Sequence, residues 1–320
     1  MADARMRIAI AGTNNFALLI AHFVVTETSH QLVVLSRQEQ PHLAGQGYQV
    51  LVVDYEDQLS LQHAVMGVDT IISTVTGPPG LQLLHASVAQ KVRRFAPADF
   101  EGRPSKRSDP DPLDRGNKII QNWLDYYRSN IEYTIFSCGV LYERFGPGGL
   151  ESHRLGLAAH LCKEGDYIIN VRTMRACAPI YDADYGININ ISMISAQDAA
   201  RLIVHAIDLP RWPRELCMVG DRMTVFDVCR TVEKVRGVTL VSSNWHTPHT
   251  LRDELKLAQT LGDIPRQMRA HDHLETINGR YDTTAPGNLR GSQETGDIIP
   301  ATFEDWLRVV WANIPVSSSP

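Results

Sequence analysis

The stretch that most constrains the fold runs from Met6 to Arg37. Arg7-Ile8-Ala9-Ile10-Ala11 is a short apolar run of the buried-strand kind, and Gly12-Thr13-Asn14-Asn15 is turn chemistry, because Gly and Asn tolerate positive φ at little steric cost. Phe16, Leu19, Ile20, Phe23 and Val24 then recur at helical spacing, and residues 31–37 read as a second strand ending in the cation Arg37. Strand, tight turn, helix, strand is a βαβ opening.

In the dinucleotide-binding form of this unit, glycines let the turn approach a pyrophosphate while the amides and dipole of the helix N-terminus hold its charge. Laid on a G-G-T-G-x-x-G loop, residues 11–17 keep only Gly12 and Thr13; Ala11, Asn14 and Ala17 stand at the three spaced glycines. Gly12, Thr13, Asn14, Asn15 and Phe16 are therefore the expected phosphate turn. Asn14 is the decisive change, because it can keep a left-handed backbone but its side chain either hydrogen-bonds a phosphate or fills the place of one. Arg37 bears on the choice of cofactor. An acidic residue after the second strand accepts the ribose hydroxyls of NAD, whereas an arginine suits a 2′-phosphate, so NADP(H) is expected. The competing reading is a solvated arginine at a strand end.

Further strands are expected at 48–54, 70–75, 93–97 and 132–137, with helices at 57–66, 81–91 and 117–129 between them. Six strands alternating with helices predict a doubly wound parallel Rossmann-type sheet. Thr76-Gly77-Pro78-Pro79-Gly80 reads as an open turn after the fourth strand, which makes Thr76 and Gly77 cofactor candidates. Beyond the Gly146-Pro147-Gly148-Gly149 loop the chain changes character. The expected division is a dinucleotide-binding domain at 1–146, rejoined by part of the later chain, a smaller C-terminal substrate lobe mainly at 147–316, and a disordered tail at 317–320.

Composition narrows the classes of function. A net charge of −5 without a sustained Lys/Arg run gives no footprint for nucleic acid or an anionic membrane. The five cysteines are odd in number and never in C-x-x-C spacing, Met1-Ala2-Asp3-Ala4-Arg5 leads straight into a strand, and no apolar run reaches spanning length. A cytoplasmic protein with reduced thiols and a small-molecule substrate is expected. His246 with His249, and His271 with His273, offer two ligands each and no third, in what reads as a charged, partly exposed loop, so no metal is expected.

Several segments carry a resemblance. Arg93-Arg94-Phe95-Ala96-Pro97-Ala98-Asp99-Phe100 resembles the R-F-x-P-S-E-F segment of the NmrA-like and isoflavone-reductase-like proteins, an atypical branch of the short-chain dehydrogenase/reductases. Asn117-Lys118-Ile119-Ile120, Glu132-Tyr133-Thr134-Ile135, Gly139-Val140-Leu141 and Ile194-Ser195-Ala196-Gln197-Asp198-Ala199-Ala200-Arg201 resemble further blocks of that family, in order. The glycine loop is where this chain departs from it. No Tyr-x-x-x-Lys pair occurs; the resemblance implies Lys118 as acid/base, and a partly desolvated pocket near a cationic nicotinamide would lower its pKa. It also implies that the C-terminal lobe covers the nicotinamide end of the cofactor. Asp99, Asn122, Tyr142 and Phe145 are the expected substrate-side residues by position. Three functions stay open: an NADPH-dependent reductase of a small aromatic or conjugated substrate, a non-redox isomerase, dehydratase or cyclase on the same scaffold, and an NADP(H)-sensing regulator without catalysis.

Overall fold

The computed structural model describes residues 5–156, 161–179, 181–182, 187–284 and 298–317; Ser318 to Pro320 of the expected tail lie outside them. The first half runs β1 (Arg7–Ala11), α1 (Asn15–Glu27), β2 (Gln31–Ser36), α2 (Pro41–Gly45), β3 (Val50–Val52), α3 (Gln58–Val65), β4 (Thr70–Ser73), α4 (Gly77–Ala89), β5 (Arg94–Ala96), α5 (Asn117–Tyr126) and β6 (Glu132–Tyr133). These six strands form one parallel sheet in the order β3-β2-β1-β4-β5-β6. The order reverses at β1, so the crevice beyond the carboxyl ends of β1 and β4 is the place where a doubly wound sheet receives a ligand.

Burial explains why this sheet forms. Ile8 and Ile10 of β1 face a cluster with Ile20, Val24, Leu202 and Ile203, while Ala9 and Ala11 face another with Leu35, Leu61, Leu83 and Leu124. Alternate side chains of one strand thus feed both layers, and both faces are dry, as a parallel sheet requires. Each fully buried large aliphatic chain contributes about 1.5–3 kcal/mol.

The second half begins with β7 (Ile135–Cys138), one residue after β6, then β8 (Val140–Leu141), a 3-10 turn over Tyr142–Phe145, α6 (Gly149–Ser152), β9 (Ile168–Asn170), β10 (Arg175–Ala178), β11 (Tyr181–Asp182), β12 (Ile187–Asn188) and β13 (Asn190–Ile194). It continues through α7 (Ala196–Ala206), β14 (Glu215–Met218), β15 (Asp221–Thr224), α8 (Val225–Arg236), β16 (Ser242–Trp245), α9 (Pro248–Leu261), α10 (Ile264–Ile277) and α11 (Phe303–Val310). α7 packs on α1, and β14 pairs in parallel with β7. The remaining strands form small sheets, β16-β10-β9, β11-β12 and β15-β13-β8, over a separate core of Tyr142, Phe145, Tyr167, Met193, Val228 and Phe303.

Three elements differ from expectation. The single strand expected at 132–137 is two, β6 in the six-stranded sheet and β7 paired with β14, because the chain leaves the first sheet at Thr134. α4 starts at Gly77 instead of Leu81, because Pro78 and Pro79 fall in the first helical turn, where a missing amide costs nothing. His271 and His273 lie in α10 and not in a loop, and His273 is 1% exposed.

Candidate functional site

The turn between β1 and α1 is built on Gly12. Its φ is +109°, its amide donates to the Leu35 carbonyl at 3.0 Å, and a Cβ there would press into Thr74 Oγ1. Asn14 is not left-handed: with φ −70° and ψ 165° it is the N-cap of α1, its side-chain oxygen accepting from the Ala17 amide at 2.9 Å. The expected positive φ therefore belongs to Gly12 alone in this turn. The cap occupies one of the amides that a helix N-terminus leaves without intrahelical partners, and those of Asn15 and Phe16 remain. Asn15 Nδ2 donates to the His153 carbonyl at 2.7 Å, which ties the turn to the loop after α6. Phe16 packs edge-on against Phe100, their ring centroids 5.0 Å apart, and Thr13 is half-buried. Arg37, exposed just past β2, makes no ion pair among the described residues. Its charge reaches Tyr55, whose hydroxyl burial pushes up to about 12 against the pull of that cation.

Asn14, Phe16, Thr76 and Asp99 come together in a cavity of about 140 Å³ at the carboxyl ends of β1, β4 and β5, with Phe100, Cys138, Leu141 and Leu155 as its apolar wall. Thr76 is the N-cap of α4 and Gly77 follows at φ +68°. Asp99 is 2% exposed and fully engaged. Arg107 grips both its oxygens at 2.9 and 2.6 Å, Asn117 Nδ2 donates at 3.1 Å and Gln121 Nε2 at 2.7 Å. With four donors satisfied, Asp99 anchors α5 and is not a free acceptor for substrate.

Lys118 sits in the first turn of α5 with its side chain 54% exposed, and its Nζ lies 2.6 Å from Asp109 Oδ1. It does not line that cavity, and Asn122, one turn on, is exposed. Tyr142 and Phe145 point into the second core. The Tyr142 hydroxyl donates to the Ala301 carbonyl at 3.1 Å, and Phe145 packs on Phe303 and Tyr167. Among the described residues no group of three His, Cys, Asp or Glu is placed to hold a metal ion, and no helix is long and apolar enough to cross a membrane.

Sequence reasoning missed the group around Glu101. This residue lines the first cavity, a second of about 230 Å³, and a small pocket between them. Its carboxylate bridges Arg115 at 3.1 Å and Arg144 at 3.4 Å. Burial pushes it up, but the guanidiniums of Arg115, Arg144, Arg280 and Arg107 outweigh that and hold it below the usual carboxylate range. Arg144 donates to the Leu161 carbonyl at 2.9 Å and lies over the Tyr167 ring at 5.5 Å. Asp272 and Tyr281 close the far wall. The one signal in the chain was position, since Glu101 directly follows the Asp99-Phe100 segment.

The architecture is a doubly wound Rossmann-type fold, a 3-2-1-4-5-6 parallel sheet with further small sheets beyond it. No family model matches the chain. It is 26% identical to Oxidoreductase BOA1 of Botryotinia fuckeliana over 246 residues, 72% of this chain and 76% of that protein. Among solved structures it is similar to AtPrR2 with NADP+ and (+)pinoresinol, at a TM-score of 0.72 and 17% identity over 96% of this chain and 99% of that one. It is also similar to the leucoanthocyanidin reductase–NADPH complex of Vitis vinifera, at a TM-score of 0.68 and 17% identity over 95% and 98% of the two chains. These likenesses bear out the fold and the resemblance to the NmrA-like and isoflavone-reductase-like proteins.

Proposed function

We propose that this chain is an NADPH-dependent reductase of a small aromatic or conjugated substrate. The observation that carries the reading is Arg37, an exposed cation just past β2 without an ion pair among the described residues, beside a glycine turn that leads into the N-terminus of α1. The residues present fit the cofactor. The amides of Asn15 and Phe16 and the N-terminus of α1 would hold the pyrophosphate, Arg37 the 2′-phosphate, and Thr76 with Gly77 the far edge of the crevice. Bound there, NADPH supplies a hydride; the chain supplies orientation and a dry, charged cavity. The names of BOA1, AtPrR2 and the leucoanthocyanidin reductase support this reading. The resemblance implies Lys118 as acid/base, but to reach substrate Lys118 has to leave Asp109 and turn inward. A cofactor-free isomerase or dehydratase draws on one observation, the use of the Ala17 amide by Asn14 in place of a phosphate.

Calorimetric titration with NADPH and NADH, on the wild type and Arg37→Ala, separates these. NADPH is expected to bind more tightly than NADH. Because Arg37 has no ion pair to lose among the described residues, its removal costs the charge-assisted contact alone, about 1.5–3 kcal/mol or roughly 10- to 150-fold in Kd for NADPH. NADH should stay within about twofold. Absence of binding by both nucleotides overturns the reading.

A further inference from the structure

The cavity beyond Glu101 holds a hydrogen-bonded pair that cofactor binding does not use. Tyr281 Oη and Asp272 Oδ1 are 2.5 Å apart, their residues are 5% and 4% exposed, and both line the cavity of about 230 Å³. The pair is rigidly held. Asp272 lies in the second half of α10, where its backbone carbonyl accepts from Thr276 Oγ1 at 2.7 Å. Tyr281 follows the turn after α10, and its carbonyl accepts from the Ser192 amide of β13 at 2.8 Å. Its ring meets Tyr167 edge-on, the centroids 6.2 Å apart.

Two carboxyl groups therefore face one space in unlike company. Glu101 is bridged by two guanidiniums, whereas the hydrogen-bonding side chain on Asp272 is a phenol. The charged groups bearing on Asp272 are Arg144, Glu101 and Arg280. Burial raises its affinity for a proton, Glu101 adds to this, and Arg144, Tyr281 and Arg280 oppose it without reversing it. The surroundings thus push the two carboxyl groups apart, Glu101 towards the charged form and Asp272 towards the protonated one. Lys118, the other candidate, is at the surface on Asp109.

We infer that Tyr281 and Asp272 form the site that holds the substrate oxygen and delivers its proton, with Glu101, which lines both cavities, on the side of the cofactor crevice. This rests on the reductase reading. NADPH bound in the crevice would supply the hydride and be oxidised by two electrons, and the C=O electron pair of the substrate would then move to oxygen. The Tyr281 hydroxyl, which at rest donates to Asp272 Oδ1, would turn its proton to that oxygen and take the proton of a protonated Asp272 in exchange, leaving an Asp272 carboxylate that solvent reprotonates after release. Pro112, Leu113, Leu161 and Met268 supply an apolar wall opposite the charged one of Glu101, Arg115 and Arg144, so the class of ligand is a small, partly apolar molecule with one carbonyl oxygen.

The test uses 4-nitrophenol, whose yellow phenolate reports its own protonation, added to the full chain below the pH at which the free dye ionises. The wild type should bind the dye and raise its phenolate absorbance. Tyr281→Phe, which removes a single oxygen, should cut that signal at least fivefold, as should Asp272→Asn, while Lys256→Met, at an exposed lysine of α9, leaves it unchanged. Circular dichroism shows whether each variant is folded, and if Asp272→Asn is not, Tyr281→Phe decides. No binding by the wild type, or an equal phenolate signal in Tyr281→Phe, overturns the inference. A parallel NADPH titration keeps the two readings apart: a dye response without nucleotide binding sinks the reductase, and nucleotide binding without a dye response sinks the Tyr281–Asp272 site.

Discussion

Replacing Gly12 by alanine tests the geometry of the β1–α1 turn without reference to any ligand. Two costs combine. A residue with a Cβ at φ +109° carries strain of about 1–3 kcal/mol. The new methyl also presses into Thr74 Oγ1, which itself donates to the Ala11 carbonyl at 2.9 Å. Rotating Thr74 away relieves the clash but gives up that hydrogen bond, about 1 kcal/mol. Gly12→Ala should therefore destabilise by about 2–4 kcal/mol, and Thr74→Ala alone by about 1 kcal/mol. In the double variant the clashing oxygen is gone, and the nearest remaining atoms, Thr74 Cβ and Val75 Cγ2, would lie at an ordinary 3.6 Å. The double variant should then be no less stable than Gly12→Ala, a coupling of about 1 kcal/mol. Urea unfolding followed by circular dichroism measures all four corners of the cycle. Strict additivity would refute the argument, because it would mean that Thr74 does not confront the new methyl.

Two further outcomes follow from buried charges. Arg94 is 1% exposed, donates to the Ile207 and Leu209 carbonyls at 2.7 Å each, pairs with Glu132 and lies over Trp212 at 5.1 Å; Arg94→Met leaves these acceptors unpaired and should cost about 3–5 kcal/mol in the same unfolding assay. Glu143 makes no ion pair among the described residues: its carboxylate accepts from the Ala196 amide at 2.9 and 3.1 Å, and burial, only partly offset by that amide, pushes its pKa up to about 7. A carboxyl raised in the folded state binds more protons there than in the unfolded chain, so stability falls as pH rises from the ordinary carboxylate range to about 7 and is level above it. Glu143→Gln should remove that fall and gain on the wild type at pH 8; parallel pH profiles of the two unfolding midpoints would refute the assignment.

The parts of the molecule legible from residue order share one property, which is that their cause is local. Ile8 and Ile10 against Ala9 and Ala11, the glycine at the turn, the helical stripe from Phe16 to Val24 and the cation after β2 all declare themselves within a few residues of one another. The alternation of such units predicts a parallel doubly wound sheet because a βαβ crossover closes with one hand. Residues whose role depends on an immediate neighbour are harder to read. Asn14 was legible as a substitution in the glycine pattern but not as the cap of its own helix. Pro78 and Pro79 signal a turn until it is clear that the first helical turn tolerates them.

What the tertiary structure decided is which distant groups meet. α10 was hidden because Asp272, His273, Glu275 and Thr276 occupy its buried face, so no apolar stripe marks it. Tyr142 and Phe145 follow a strand that ends near the crevice, but Phe303, arriving from the far end of the chain, turns them into core. Glu101, Arg144, Asp272 and Tyr281 come from the loop after β5, the turn after β8, α10 and the turn beyond it, and nothing in their spacing connects them. Local backbone preference and hydrophobic period act over a turn or a strand, and they set the sheet. The cavity depends on long-range packing that removes charged groups from water only where partners from other segments await them, and no single stretch of the chain contains both sides of that arrangement.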